Sequence, residues 1–344
     1  MTVGPTGYGR SPDTSTANRF NLMVFLPTAP SRGAPSRLNF WSGRPITFAY
    51  MADISLPREK ILALAQKLPA TACVLGKLQQ LLSDPNAGLD EICELLKRDT
   101  ALAARILRIS NSPYFGSATP NASLEEAVGC VGYHEIYKVV GLSVSAQLLE
   151  KELAYYGYTA LQLWENTLCT ALAMESLAQF VGVNPRAAYT AGLLRSMGKI
   201  VLNMAAAETL PIAEAFPRSA SKAVGEWERA MWGWDSAGVA VLLLEEWNFS
   251  PETCAAVRGY HFPEKTSADE IGPCLLNLAG AVAQTLGVGL AGEECYWQPH
   301  PVIFNRTQLT ARDLELCTDE TKLAFIAAQQ AFAGSSDFAL ARDA

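Results

Sequence analysis

From about residue 56 onward apolar side chains return every three or four positions, and sustained alternation occurs nowhere. The chain is thereby confined to helices packed on helices. Leu75, Leu78, Leu81 and Leu82 keep helical spacing until Asp84-Pro85-Asn86 breaks it. Leu89, Ile92, Cys93 and Leu96 mark a short second helix. Leu102, Ile106 and Ile109 mark a third, ending near Asn111-Ser112-Pro113 because the residue before a proline leaves the α region. Asp99 stands where a side-chain oxygen would cap that helix. Ser123 followed by Glu126 has capping-box spacing, and Ile136, Val139, Val140 and Val144 form a further amphipathic run. Asn184-Pro185 and Ser250-Pro251 each read as a cap followed by proline in the first helical position. Residues 288–308, with Gly, Pro and aromatics, read as an irregular excursion before a last helix from Thr310 to Phe332. The expected fold is all-α, a multi-helical bundle with an N-terminal helical subdomain.

Composition removes several classes of function. Of 344 residues 49% are hydrophobic and 18% charged, enough for a large core without metal or disulfide support. The net charge of −7 argues against nucleic acid as a partner, since an acidic body does not gather phosphate backbones. The eight cysteines form no C-x-x-C pair and mostly lie among apolar helical residues, so they read as small buried hydrophobes in a reducing cytoplasm. No apolar run reaches the ~18 residues of a spanning helix, so no membrane partner is expected.

The first 50 residues differ from the rest, with six prolines, five glycines, five arginines and one acid, and no surviving period. They read as a disordered extension (1–55), or as sequence ahead of a true start at Met51. Arg19 followed by Phe20 to Leu26 imitates a secretion signal, but the run is short, begins late and contains Asn21. Their Arg- and Ser-rich, acid-poor character resembles a transit peptide, against which the dense Pro and Gly count.

Leu68-Pro69 followed by Leu81-Leu82-Ser83-Asp84-Pro85-Asn86 is similar to the opening "LP…LLSDPN" of the HDOD family. This family is a divergent branch of the HD superfamily found in bacterial signalling proteins, and the resemblance runs from about 61 to 287. Arg98-Asp99-Thr100-Ala101-Leu102-Ala103-Ala104-Arg105-Ile106-Leu107-Arg108-Ile109-Ser110-Asn111-Ser112-Pro113-Tyr114-Phe115-Gly116 is close to "DPALAARLLRLANSPYFG". Ser123-Leu124-Glu125-Glu126-Ala127-Val128 and Gly132 fit the "SLEEAVLRLG" element. The resemblance implies an HD-like bundle over 56–287, with an N-terminal part (56–155), an HD-like part (156–287) and a C-terminal loop and helix (288–344). Within it, Arg105 reads as a structural ion-pair partner or an anion contact, and Tyr114-Phe115-Gly116 as an aromatic plug or a partner patch.

The most informative segment is Ala191-Gly192-Leu193-Leu194-Arg195-Ser196-Met197-Gly198-Lys199, similar to the "AGLLHDIGK" helix of HD hydrolases with its two metal ligands replaced. In those enzymes a metal-bound water attacks a phosphoester, and every ligand must offer a lone pair. The resemblance places the first ligand His at Asn166, the His-Asp pair at Arg195-Ser196, a later His at Ser236 after Asp235, a His pair at Tyr260-His261, and a late aspartate at Gly280. Asp235 and His261 alone could still ligate, and Arg195 would repel a cation. Neither a catalytic residue nor a metal nor another cofactor is therefore expected. The G-x-x-x-x-G-K-[ST], G-x-S-x-G and H-E-x-x-H patterns are missing as well.

The expected function is a non-catalytic regulatory module in signal transduction, cytoplasmic, acting on signalling proteins. A degenerate pocket of Asn166, Arg195, Ser196, Lys199, Asp235 and His261 could hold an anionic nucleotide, with Arg195, Lys199 and His261 as anion contacts. The alternatives are a residual metal-dependent phosphohydrolase or phosphodiesterase, and an interaction module with no small-molecule site. Lys199 equally reads as a solvated lysine, and Trp227, Trp232, Trp234 and Trp247 as core residues or a stacking platform for a base.

Overall fold

The computed structural model describes residues 55–69, 71–111, 121–148, 151–212, 215–217 and 223–333. The expectations for the first 54 residues, including a start at Met51, for Tyr114-Phe115-Gly116 and for the last eleven residues lie outside these.

Among the described residues the chain is helical without a named strand. The first half contributes α1 (Arg58–Ala65), α2 (Thr71–Leu81), α3 (Leu89–Lys97), α4 (Thr100–Ser110), α5 (Leu124–Val131) and α6 (Tyr133–Leu148). The second contributes α7 (Ala160–Val181), α8 (Pro185–Leu194), α9 (Met197–Thr209), α10 (Val224–Trp232), α11 (Ser236–Glu246), α12 (Pro251–Gly259), α13 (Gly272–Thr285), α14 (Pro301–Thr307) and α15 (Ala311–Ala333).

Several boundaries are set by the caps the sequence offers. Asp99 accepts the Leu102 N–H at 2.9 Å and starts α4. Asn184 accepts from Arg186 and Ala187 ahead of Pro185, and Ser250 accepts from Thr253 ahead of Pro251. Ser123 accepts the Glu126 N–H, but the Glu126 carboxylate turns back to the Ala122 N–H, so only half of a capping box forms.

The second half is organised around α7. Fifteen of its residues are buried, on every side of the helix, because α8, α13 and α15 all pack on it. That explains why α7 has little amphipathic character: a helix enclosed by neighbours has no wet face. α9 packs on α11, which packs on α12, and α12 closes back on α8 and α13. α2, α4 and α6 pack together in the first half, while α1 lies on α9 and α11. Just before α1, Leu56 ties the chain to the end of α10, donating to the Trp232 carbonyl and accepting from the Trp234 indole, both at 2.9 Å.

The tryptophans belong to this packing. Trp227 and Trp232 are buried edge to face at 5.0 Å, with Tyr156 against Trp227, and Trp234 and Trp247 lie partly buried on the same core. Arg105 donates to the Ser143 carbonyl at 3.0 Å, tying α4 to α6. The cysteines are unpaired among the described residues, five of them buried, and burial pushes the Cys169 thiol up to about 12. No described helix is long and apolar enough to cross a membrane.

Candidate functional site

Arg195 and Ser196 form the two-residue corner where α8 ends and α9 begins. α8 is anchored against α7 by Gly192, where an added Cβ would lie 2.6 Å from the Ala171 Cα. At that corner the Arg195 side chain turns wholly inward and has no exposed surface. Lys199, one turn into α9, is equally enclosed, which overturns its reading as a solvated lysine. Two full positive charges in a protein interior require a counter-charge.

That counter-charge is Glu293. It follows Gly292, whose φ of 85° permits the turn that sends the next side chain inward. Its carboxylate lies 2.7 Å from Lys199 Nζ and 3.3 Å from Arg195 Nη1, with no exposed surface on any of the three side chains. Arg195 Nη2 also donates to Asn166 Oδ1 at 2.5 Å, and Asn166 Nδ2 donates to the Val288 carbonyl at 2.8 Å. Lys199 donates to Ser236 Oγ at 3.1 Å. Glu228, also buried, accepts the Ser236 N–H at 2.7 Å and the Tyr156 hydroxyl at 2.9 Å. Burial raises Glu228 above the ordinary carboxyl value, whereas at Glu293 the same burial is outweighed by Arg195 and Lys199, which hold it at about 2.

Aromatic rings close the remaining space. The Arg195 guanidinium lies 5.6 Å from the Tyr260 ring and 5.5 Å from the Trp297 ring. Trp297 also occupies the volume above Gly280, where a Cβ would fall 2.4 Å from its ring. The position that the resemblance gives to the late aspartate is thus filled by indole.

The structure therefore brings together Asn166, Arg195 and Lys199 of the expected pocket, with Ser236 beside them, and joins them to Glu293. Asp235 is committed otherwise: its Oδ1 caps α11 through the Gly238 N–H at 2.8 Å and its Oδ2 pairs with Arg229 at 2.5 Å. An aspartate just before a helical run is an N-cap signature, so sequence spacing could have assigned it. Glu293 was not legible, since it lies 98 residues from Arg195 within a stretch read as an irregular excursion. That excursion also holds buried Tyr296 and Trp297 and the helix α14.

His261 is buried and stacked on Tyr296 at 4.0 Å and 19°, and its Nε2 has no partner. With Asp235, Arg258, Phe262, Lys265 and Glu270 it lines a pocket of about 450 Å³. Burial first, and then the nearby Lys199, push the imidazole well below its ordinary value. A base held neutral in the fold but free to protonate when unfolded makes stability complete above pH ~6.5 and lets it fall at lower pH. His261→Phe should remove this component, about 1.4 kcal/mol per pH unit for one proton. Urea titrations from pH 7 to 5 check it; parallel wild-type and variant curves would sink the assignment.

The donor set does not fit a catalytic metal. Asn166 spends both ends of its amide on Arg195 and Val288, Arg195 is a cation, and Asp235 is a cap. Among the described residues no three His, Cys, Asp or Glu side chains converge on a possible metal position.

The sequence model of the HDOD domain family matches residues 68–263. An HDOD domain protein of unknown function from Geobacter sulfurreducens superposes with a TM-score of 0.59 at 20% identity, covering 82% of this chain and 99% of that chain. A protein named as a candidate signal transduction protein from Marinobacter aquaeolei gives 0.60 at 18% identity, covering 86% and 68%. One named as a candidate phosphohydrolase from Shewanella amazonensis gives 0.54 at 19% identity, covering 79% and 97%. These structural likenesses carry the fold alone, and no curated protein shows a significant match. The family match spans more than half of the 344 residues and coincides with the helical segment that holds the Arg195–Ser196 corner: the chain belongs to the HDOD domain family.

Proposed function

We propose that this HDOD protein is a non-catalytic regulatory module that acts in signal transduction by binding other proteins. One observation carries the reading: where HD hydrolases are expected to hold metal, this chain has the closed, buried Arg195–Glu293–Lys199 cluster. A divalent ion there would meet two fixed positive charges and a single carboxylate, Glu293, already paired with both, so Coulomb repulsion opposes its entry. The Marinobacter relative's name supports the signalling role, and unpaired cysteines suit a reducing cytoplasm. The Shewanella relative's name points toward hydrolysis, but the ligand positions that the resemblance assigns hold Asn166, Arg195, Ser196 and Ser236 here.

The test is metal analysis of the full chain after exposure to Mn, Fe and Ni, followed by assay of a nitrophenyl phosphodiester. Sub-stoichiometric metal and turnover no faster than buffer are expected. Near-stoichiometric metal with turnover that a chelator removes would overturn the reading.

A further inference from the structure

The Arg195–Lys199 cluster offers more hydrogen-bond donors than its own carboxylate can use. A guanidinium has five N–H groups and an ammonium three. Glu293 supplies two oxygens; one lies at a normal charge-assisted distance of 2.7 Å from Lys199. Its contacts to Arg195 stretch to 3.3 and 3.4 Å, and Arg195 reaches Tyr260 only at 3.5 Å. Arg195 Nε and Ser196 Oγ are buried with no partner. Unsatisfied buried donors are costly, and each one left in a native fold points to a missing acceptor.

The fixed dipoles point the same way. Ser196 is the residue before α9 and Ser236 the first residue of α11. The positive end of α9 thus adjoins Lys199, which sits in its first turn, whereas the start of α11 is already taken by Glu228 on the Ser236 N–H and Asp235 on the Gly238 N–H. Two cations, one helix start and the idle Arg195 Nε and Ser196 Oγ exceed the needs of one planar carboxylate. They suit a tetrahedral oxyanion with three or more terminal oxygens.

We propose that Arg195, Lys199 and Ser196 form a seat for a phosphoryl oxyanion, and that Glu293 is its intramolecular competitor, holding the seat closed. The inference rests on the reading that this site holds no metal. Occupancy requires only that this one carboxylate give way, because the backbone around it is fastened independently. Val224 N–H donates to the Gly292 carbonyl at 2.9 Å, the Tyr158 hydroxyl to the Ala291 carbonyl, and Asn277 to the Tyr296 carbonyl at 2.9 Å. Removing the Glu293 carboxylate therefore leaves the walls of the seat in place.

The experiment is equilibrium dialysis of the full chain against labelled inorganic phosphate at fixed ionic strength. Glu293→Ala and the near-isosteric Glu293→Gln should each bind one phosphate at least tenfold more tightly than wild type, and Arg195→Met added to either should abolish the gain. A competing nucleoside monophosphate identifies the source: displacement of phosphate assigns a nucleotide phosphoryl group, and no displacement assigns the free oxyanion. Unchanged affinity in both Glu293 variants, or a gain that survives Arg195→Met, overturns the proposal. Should the alanine variant not fold, the glutamine variant decides alone. Metal content of the wild type separates the two readings. Stoichiometric metal removes the non-catalytic reading, whereas a metal-free protein whose Glu293 variants ignore phosphate removes only the seat.

Discussion

Glu293→Leu is expected to lower the free energy of unfolding by about 3–5 kcal/mol, the range for a buried ion pair that loses one partner. Leucine nearly preserves the volume, so the loss is electrostatic in origin: Arg195 and Lys199 remain enclosed without their anion. Against a typical total of about 5–15 kcal/mol, that is a large fraction of what keeps a domain folded. Removing one of the two stranded cations should return part of it. Glu293→Leu combined with Arg195→Met should be less damaging than the sum of the two single changes, the signature of a coupled pair. The measurement is urea unfolding of all four proteins. A loss below about 1 kcal/mol, the scale of an exposed pair, would show that water reaches the cluster. Arg258–Glu245, with both side chains at least half exposed, supplies that internal comparison.

Acid should reveal the same cluster. The Glu293 carboxyl sits at about 2 in the fold, against an ordinary value of 4.5. Its contribution is complete above pH 4.5, where the unfolded chain is also ionised, and is lost as pH falls toward 2. The leucine variant has no such component, so the gap between its stability and that of the wild type should narrow across this window.

What sequence made legible here was local. Asp99, Asn184 and Ser250 announce their helices because a cap and its N–H partners lie within three residues, and the structure forms all three. The apolar runs in α3, α4 and α6 were equally readable from period alone. α7 shows the limit of period, since a helix buried all round carries no stripe. The candidate site failed for a different reason. The resemblance puts Arg195 at an expected metal-ligand position and Lys199 four residues on, yet their anion comes from a loop whose only local mark is a glycine before two acids. One clue was available. Arg195 and Lys199 lie within a mostly apolar run from Ala191 to Leu202, and cations buried there need a distant acid as much as an external ligand.

Gly198→Ala sets two physical effects against each other, and packing is expected to win. On helix propensity alone, alanine in place of glycine should stabilise α9 by about 1 kcal/mol. The added Cβ, however, would fall 1.8 Å from the Ser236 carbonyl oxygen and 2.9 Å from the Ser236 Cα. The obstacle is backbone, which cannot swing aside as a side-chain tip can, so α9 and α11 would have to part. Overpacking of this kind costs about 1–3 kcal/mol and sometimes more. The upper end or beyond is expected here because separation also pulls Lys199 from Ser236 and Glu293, now at 3.1 and 2.7 Å. A net loss of about 3 kcal/mol or more should appear as a lower urea midpoint with the slope unchanged. A variant as stable as wild type would mean that α9 and α11 can separate freely, and a cluster that depends on their contact could not be closed as tightly as the buried side chains indicate.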